Sequence, residues 1–320
     1  MSGQAQAKRG TFVGEVRTNR KLCAEHYLIT IAVEAFPPTR AGQFVQLQCR
    51  PVREQASNRE VEWGKGNPPA LSQPELVGEE PMLRRPFSLA GRRTGDDGCV
   101  QLDVIYRAVG VGTRWLCGVA PGTKLSVLGP LGNAFRVVND KKVVALVGGG
   151  VGIPPLLYLA EELAKAGKKV FAFCGVRSSD LLPLSLADGV LPLASGEPNS
   201  CVIEFADRGA NSAIATDDGS LGYSGLVSDA FASWLEGNMR YSHAVVVYSC
   251  GPEAMMRAVA ETCVPRRIDC QLALERHMAC GMGTCQSCVV KIRDDSKAGW
   301  SYKLCCTDGP VFDAQDVVWQ

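Results

Sequence analysis

The sequence predicts a multidomain β and α/β protein, with an antiparallel β-barrel, a doubly wound parallel α/β domain and a small C-terminal domain. Three observations indicate this order. Short segments of alternating apolar and polar residues come first, continuous apolar strands alternating with helices follow, and six of the 14 cysteines lie after Pro265. We place the three domains at residues 1–138, 139–265 and 266–320.

The composition excludes several classes of protein. The 320 residues are 46% hydrophobic and 21% charged, which suits about two or three compact domains and argues against disorder. The chain has 34 Lys and Arg against 33 Asp and Glu, a net charge of +1. This balance argues against a nucleic-acid-binding protein that relies on an excess of positive charge. No apolar run approaches the length of a membrane span. Residues 1–10 lack an apolar signal-peptide core, so we expect a cytoplasmic protein with reduced thiols.

The barrel is predicted from four half-buried strands. They are Phe12–Arg17, Tyr27–Val33, Gln43–Gln48 and Val100–Tyr106, in which apolar and polar residues alternate. Residues 50–83 interrupt this pattern with charges and five prolines. We interpret that stretch as a solvated insertion between barrel strands, with a partner-binding loop as the alternative.

The α/β domain is predicted from apolar runs that alternate with helical patterns. A continuous apolar run suits a strand buried on both faces, and helices between such runs indicate a parallel sheet. The predicted strands are Val143–Val147, Val170–Cys174 and Ala244–Tyr248, and the predicted helices are Pro154–Ala166, Phe231–Leu235 and Glu253–Glu261.

The strongest chemical signal is a run of cysteines near the C-terminus. Cys280, Cys285 and Cys288 follow a C-x4-C-x2-C pattern, and Cys305 and Cys306 come later. Four thiolates hold a two-iron cluster, and this is the spacing of plant-type ferredoxins. Structural zinc, the alternative, usually has paired C-x2–4-C knuckles. The spacing therefore predicts a [2Fe-2S] cluster and leaves open which of the last two cysteines is the fourth ligand.

A glycine cluster predicts a phosphate site. Gly148, Gly149, Gly150 and Gly152 lie between a predicted strand and a predicted helix. Glycines let a pyrophosphate approach the backbone, and a helix N-terminus favours its negative charge. The pattern differs from the G-x-G-x-x-G fingerprint because Ile153 occupies the last position. A tight turn without a ligand is the alternative, which the strand–helix order disfavours.

Three shorter motifs fit cofactor contacts less specifically. Arg85-Pro86-Phe87-Ser88 offers a cation for phosphate and a side chain beside a flavin ring, and Arg107 with Gly110–Thr113 offers a second cation and a turn. Surface charge and ordinary turn chemistry would explain either motif alone. Cys250-Gly251-Pro252 follows an apolar strand, at the end where open α/β sheets bind ligands. A buried structural thiol is the alternative for Cys250.

In this order the motifs resemble the ferredoxin–NADP reductase superfamily, and more closely the electron-transfer subunits of NAD-dependent (class 1B) dihydroorotate dehydrogenases. The matching segments span nearly the whole chain, and the last two are specific. They are RRPFSLA (84–90), IYRAVGVGTRWL (105–116), VLGPLGNAF (127–135), ALVGGGVGIPPLL (145–157), TDDGSLGYSGLV (216–227), SCGPEAM (249–255), ERHMACGMGTCQSCVV (275–290) and CTDGPVF (306–312).

The resemblance implies an FAD-binding barrel, an NAD-binding α/β domain and a [2Fe-2S] domain. By motif match, the expected FAD residues are Arg85, Pro86, Phe87, Ser88, Ile105, Tyr106, Arg107, Gly112 and Thr113. The expected NAD residues are Gly148, Gly149, Gly150, Gly152, Asp217, Asp218, Cys250, Gly251 and Pro252, with Cys250 near the nicotinamide. In the family an x-Asp-Gly-Pro stretch follows the fourth cluster ligand, which selects Cys280, Cys285, Cys288 and Cys306.

The resemblance also implies a function. Dihydroorotate would be oxidised at a separate FMN-containing catalytic subunit, and electrons would pass through the cluster and FAD to NAD+ in pyrimidine biosynthesis. We expect a heterotetramer with two copies of each subunit and no action of this chain alone on dihydroorotate. One alternative is the similar subunit of NADH-dependent ferredoxin:NADP oxidoreductases or sulfide dehydrogenases, which often has a non-cysteine cluster ligand. An iron–sulfur redox sensor is another, and the flavin and nucleotide motifs argue against it.

Nucleotide preference is predicted to favour NAD(H) over NADP(H). The 2′-phosphate of NADP usually meets a cation near the strand end that the segment TDDGS resembles. Asp217 and Asp218 stand there and would repel it, whereas Arg177 after the second strand is an opposing signal. We give the acidic pair more weight, because like charges brought together cost several kcal/mol.

Overall fold

The structure is a computed structural model that describes residues 9–50, 52 and 83–319. The predicted insertion lies almost wholly outside these residues. Within the described part of the chain, no helix is both long and apolar enough to cross a membrane.

The first unit is a curled antiparallel sheet. Its strands are β1 Gly10–Lys21, β2 His26–Val33, β3 Phe44–Leu47, β4 Arg85–Ser88, β5 Gly91–Thr94, β6 Val100–Arg107 and β7 Lys124–Leu131, with helix α1 Val111–Cys117 before β7. The spatial order is β4-β3-β7-β1-β2-β6-β5. Strict alternation of buried and half-buried residues along β6 packs its inner face into the core. The sheet curls until edge strand β4 approaches β6, where the Phe87 and Tyr106 rings lie 6.0 Å apart.

The second unit is a parallel sheet with helices between its strands. The elements are β8 Val143–Gly149, α2 Ile153–Lys165, β9 Lys169–Val176, α3 Ile203–Ala206, β10 Asn211–Thr216, β11 Tyr223–Ser224, α4 Val227–Gly237, β12 Val245–Cys250, α5 Glu253–Cys263 and β13 Asp269–Ala273. Strands β8 and β12 begin with apolar runs and are buried along almost their whole length, because both of their faces are covered. Both sheets confirm the predicted fold class.

The C-terminal part is tied into the second sheet. Strands β14 Val289–Arg293 and β15 Trp300–Leu304 form a hairpin, and β16 Val311–Asp313 then pairs antiparallel with β13. The full order of the second sheet is β11-β10-β9-β8-β12-β13-β16. Two strands from the range 266–320 therefore belong to the α/β sheet, and the division at 265 remains a prediction.

Hydrogen bonds fix the two sheets against each other. The Tyr158 hydroxyl on α2 donates to the Thr39 carbonyl at 2.8 Å, and the Ala41 amide donates to the Glu162 carboxylate at 2.8 Å. Both bonds join the second sheet's first helix to the segment between β2 and β3 of the curled sheet. The orientation of the two sheets is therefore set by directional bonds as well as by apolar contact.

The loop after β7 holds the C-terminal segment. The Asn133 side-chain amide donates to the carbonyls of Asp308 and Val311 at 2.9 and 2.8 Å. Its side-chain oxygen accepts the Val311 amide at 2.9 Å, and its own backbone amide donates to Gly309. One asparagine thus joins the curled sheet to the segment that follows Cys306.

We predict that Gly152→Ala destabilises the fold by about 1–3 kcal/mol, the usual cost of overpacking a filled site. A Cβ at Gly152 would overlap the carbonyl oxygen of Cys250 at the end of β12. Gly237→Ala is the matched control, because nothing lies within 4 Å of its added Cβ. Thermal unfolding followed by circular dichroism should show a lower midpoint only for Gly152→Ala. Equal midpoints would contradict this close packing.

Candidate functional site

The glycine cluster lies where the parallel sheet reverses its strand order. The chain runs from β8 outward to β11 and then returns to β12 on the other side of β8. Gly148 and Cys250 are register partners at the ends of these neighbouring strands. Open α/β sheets bind ligands at such a switch point. Gly150 has a φ of 53°, which glycine adopts readily, so the turn fits its sequence.

A first cavity of about 400 Å³ opens at this switch point. Its lining includes His26, Arg107, Gly149, Gly150, Val151, Val176, Arg177, Asp217, Pro252, Met255 and Glu275. The volume lies within the range of small-molecule sites. The structure thus brings together four of the predicted NAD residues, namely Gly149, Gly150, Asp217 and Pro252, around one cavity.

The other predicted NAD residues are not part of this lining. Gly152 packs against the end of β12, and Cys250 is 3% exposed. Burial, with the nearby Glu275 carboxylate, raises the pKa of the Cys250 thiol, so the thiol stays protonated at neutral pH. Gly148, Gly251 and Asp218 are also absent from the described lining of the cavity. A direct contact of Cys250 with the nicotinamide remains a prediction.

The two charges that bear on nucleotide choice stand on adjacent strand ends. Strands β9 and β10 pair in parallel, with Val176 opposite Thr216, so Arg177 and Asp217 follow on neighbouring strands. Both line the first cavity. The Asp218 carboxylate instead accepts the Ser220 amide at 3.0 Å, and hydrogen bonding to the Ser220 side chain and amide lowers the pKa of Asp218. Of the acidic pair, Asp217 is the one that faces the cavity.

A second cavity of about 430 Å³ opens on the curled sheet. Its lining includes Phe44, Pro86, Phe87, Ser88, Ile105, Tyr106, Arg107, Val109, Val151, Leu274, Glu275, Met278 and Pro310. Six predicted FAD residues therefore surround one space. Arg85, Gly112 and Thr113 lie beside it: Arg85 donates to the Leu83 carbonyl at 2.9 Å, and its side chain packs on Gly112. The Thr113 hydroxyl accepts the Gly110 amide at 3.0 Å.

The two cavities adjoin, because Arg107, Val151 and Glu275 line both of them. The Arg107 guanidinium donates to the Glu25 carboxylate at 2.6 Å. Desolvation by the surrounding protein raises the pKa of Glu275. The sequence analysis gave Glu275 no role. Glu275 nevertheless follows the carboxyl end of the last parallel strand, and open α/β sheets bind their ligands at these strand ends.

The cysteine loop has the backbone features that a cluster requires. Gly281 and Gly283 have φ values of 68° and 88°. The amides of Met282 and Cys285 both donate to the Cys280 sulfur at 3.4 Å. Hydrogen bonds from the Ser287 side chain and from backbone amides lower the pKa of Cys285 to about 6, which favours the thiolate. These residues therefore fit a thiolate-bound group.

The two late cysteines differ in their contacts. The Cys305 thiol is fully buried and donates its proton in a hydrogen bond to the Leu274 carbonyl at 3.1 Å. Burial raises the pKa of Cys306 to about 12, and contact with Cys288 adds to the shift, so these two sulfurs are neighbours. Cys306 is therefore the better candidate for the fourth ligand. No three His, Cys, Asp or Glu side chains of the described chain gather around one metal ion, whereas a two-iron cluster takes its ligands in pairs.

The cysteine loop rests on the curled sheet beside the second cavity. Gln46 of β3 is fully buried, and its amide lies 3.5 Å from the Ala279 carbonyl. A Cβ at Gly281 would lie only 2.7 Å from the Gln46 amide. Met278, two residues before Cys280, lines the second cavity. The predicted flavin and cluster regions are thus separated by a few packed residues.

Comparisons with known proteins agree with this arrangement. Residues 275–318 match the iron–sulfur cluster binding domain of dihydroorotate dehydrogenase B, and residues 146–261 match an oxidoreductase NAD-binding domain. The chain is 31% identical over 303 residues to the dihydroorotate dehydrogenase B (NAD+) electron transfer subunit of Caldanaerobacter subterraneus, covering 95% of this chain and 96% of that one. It is 38% identical to the Geobacillus kaustophilus subunit over 75% of this chain and 81% of that one.

Solved structures share the fold. A chain of the NADH-dependent reduced ferredoxin–NADP oxidoreductase is 25% identical, with a TM-score of 0.67 over 100% of this chain and 92% of that one. The Amycolatopsis cytochrome P450 reductase is 23% identical, with a TM-score of 0.57 over 83% of this chain and 69% of that one. The second likeness concerns the fold alone.

We predict that Cys306→Ser loses or perturbs the visible absorption and EPR signals of the iron–sulfur cluster, whereas Cys305→Ser keeps them. The physical reason is that the Cys305 thiol already donates to a backbone carbonyl, while Cys306 adjoins Cys288. Iron and acid-labile sulfide content of the two purified variants provides the quantitative measurement. Loss of the cluster in Cys305→Ser alone would reverse the ligand assignment.

Proposed function

Because this chain belongs to the family of dihydroorotate dehydrogenase B (NAD+) electron transfer subunits, we propose that it carries electrons from a catalytic partner to NAD+. The observation that carries the proposal is the row of adjoining sites in one chain: the cysteine loop, the second cavity and the first cavity. When bound, FAD exchanges a hydride with nicotinamide and single electrons with a [2Fe-2S] cluster. The chain itself sets the position of each group.

The residues divide among these tasks. We assign Cys280, Cys285, Cys288 and Cys306 to the cluster. The second cavity takes the flavin beside Ser88 and Ile105, and Arg85 and Arg107 supply the guanidinium groups that match its phosphates. The first cavity takes NAD, whose pyrophosphate would lie over the glycine turn. Val151 and Glu275 stand at the boundary, where the reacting rings would meet.

The proposed partner is the FMN-containing catalytic subunit, in a heterotetramer with two copies of each chain. Cys285 is exposed and Met282 is 53% exposed, so the cysteine loop is accessible to a partner protein. We assign the two cavities to FAD and NAD and neither of them to dihydroorotate. We therefore expect the chain alone to be inactive towards dihydroorotate. We place the protein in the cytoplasm, a reducing compartment in which the four ligand cysteines stay available to the cluster.

The alternative is the related subunit of an NADH-dependent ferredoxin–NADP oxidoreductase. The structural likeness at a TM-score of 0.67 favours it, since that likeness covers the whole chain. The availability of a fourth cysteine, Cys306, favours the first function. The two functions differ in their electron partners and in the nucleotide that they use.

We predict that the wild-type protein uses NADH at a kcat/KM at least about tenfold above that for NADPH, equivalent to about 1.4 kcal/mol. Asp217→Asn should reduce this ratio, because it removes the carboxylate that faces the first cavity. Asp218→Asn is the control, since its carboxylate is occupied by the Ser220 amide. Steady-state dye reduction with both nucleotides measures the ratios. Comparable values for NADPH in the wild type would show that Arg177 dominates and would favour the alternative function.

We predict that the complex with the catalytic subunit reduces NAD+ with dihydroorotate, whereas either subunit alone does not. In the complex, Cys306→Ser should abolish NAD+ reduction and leave dihydroorotate oxidation by an artificial dye intact, because only the route through this chain is cut. NADH formation followed at 340 nm is the measurement, with Cys305→Ser as the matched control. NAD+ reduction by the Cys306→Ser complex at the wild-type rate would contradict the proposed path.

A further inference from the structure

His26 is a buried histidine that the proposed function does not yet use. It begins β2 on the curled sheet, is 2% exposed and lines the first cavity. Its Nδ1 atom lies 3.3 Å from the Cys23 sulfur. Its Nε2 atom is buried and has no hydrogen-bond partner among the residues that the structure describes. One ring nitrogen is therefore engaged and the other is free beside the cavity.

A free buried nitrogen needs an explanation. A buried donor or acceptor without a partner costs about 1–3 kcal/mol, so such atoms are normally paired with protein, water or ligand. Burial, reinforced by the Arg107 guanidinium, lowers the pKa of His26, so the ring is neutral near pH 7. If the Cys23 thiol donates to Nδ1, the single ring proton is on Nε2. The ring then offers one N–H donor at the cavity.

The surroundings indicate which ligand takes this donor. His26 stands opposite Arg107 on the neighbouring strand β6, and the glycine turn of residues 149–150 lines the same cavity. The Ala24 amide donates to the Asp180 carbonyl at 3.0 Å, which ties the turn before His26 to the segment after β9. A cation, a glycine turn at the start of a helix and a neutral N–H donor are groups that suit a sugar–phosphate chain.

We propose that His26 is a nucleotide-binding residue whose Nε2–H donates to a phosphate or ribose oxygen of NAD(H), with Cys23 positioning the ring. The inference rests on the proposed function, in that the first cavity is taken to hold NAD(H). It adds a contact from the curled sheet to a ligand held mainly by the parallel sheet. Bound NAD(H) thereby bridges the two units, and His26 lies outside every motif that marked the site in the sequence.

Two substitutions test the geometry of this donor. The side-chain amide nitrogen of His26→Gln reaches the region of Nε2, whereas that of His26→Asn reaches only the region of Nδ1. We expect His26→Asn to raise the Kd for NAD+ and the KM for NADH about tenfold, with kcat changed less than about twofold. His26→Gln should stay within about threefold of the wild type. Cys23→Ala should give an intermediate rise, because the ring loses the partner that fixes its tautomer.

The measurements are FAD content, the cluster spectrum, NAD+ titration of the flavin absorbance, and steady-state dye reduction on the holo-protein. Wild-type affinity in His26→Asn, or equal weakening in the Gln and Asn variants, would overturn the role of Nε2. Loss of FAD in His26→Asn with unchanged NAD+ affinity of the flavin-loaded fraction would assign the donor to FAD and overturn the proposal. Failure of the wild type to bind NAD(H) at all would instead reject the proposed function on which the inference rests.

Discussion

The position of the curled sheet against the parallel sheet is the constraint on which the proposed electron path depends. The boundary between the cavities exists only where these sheets meet, since Arg107 comes from one sheet and Val151 and Glu275 come from the other. The buried bond from Tyr158 to Thr39 fixes this junction on the side of α2. At the connection from β7 to β8, the Gln271 side chain exchanges two 2.9 Å hydrogen bonds with the backbone of Arg136. Directional bonds at both places resist sliding as well as separation.

The cysteine loop is held by regular elements rather than by its own contacts alone. Strand β16 pairs with β13 and so anchors the segment that follows the cysteine loop. Asn133 ties the same segment to the curled sheet, and the Gln46 side-chain amide contacts the loop at the Ala279 carbonyl. Each anchor comes from a strand or from the loop directly after one. Because electron transfer weakens with distance, a cluster loop placed in this way keeps a constant separation from the second cavity. The fold therefore supplies the distance, and the cofactors supply the chemistry.

Much of the fold could be predicted because local patterns determine it. Alternation along β6 and the continuous apolar runs of β8 and β12 reflect one covered face and two covered faces respectively. The antiparallel addition of β16 was missed, because a three-residue strand carries too little periodicity to be recognised. Its partner β13 is separated from it in the sequence by the cysteine loop and the β14–β15 hairpin, so no local pattern indicates the pairing.

The site could be predicted where it follows a motif and not where distant segments meet. The glycine turn and the cysteine run could be proposed from the sequence because the residues of each follow a short, regular spacing. His26 and Glu275 belong to no such spacing, and they face a cavity only because two sheets close over it. Arg85 illustrates the converse: its motif predicts a flavin contact, yet in the structure its guanidinium donates to backbone carbonyls beside the second cavity. A motif identifies the neighbourhood of a ligand, and the packing decides which atoms face it.

The charges at the boundary of the cavities can change partners while the backbone stays fixed. Arg107 faces both cavities and pairs with Glu25 at 2.6 Å, with side chains 34% and 45% exposed. A pair this exposed is worth at most about 1 kcal/mol, so a phosphate can replace the carboxylate at small cost. The backbone of the same two strands is held separately, since the Ala108 amide donates to the Glu25 carbonyl at 2.9 Å. Under the proposed function, the Arg107 guanidinium can therefore turn to a nucleotide phosphate in either cavity while the two strands stay in place.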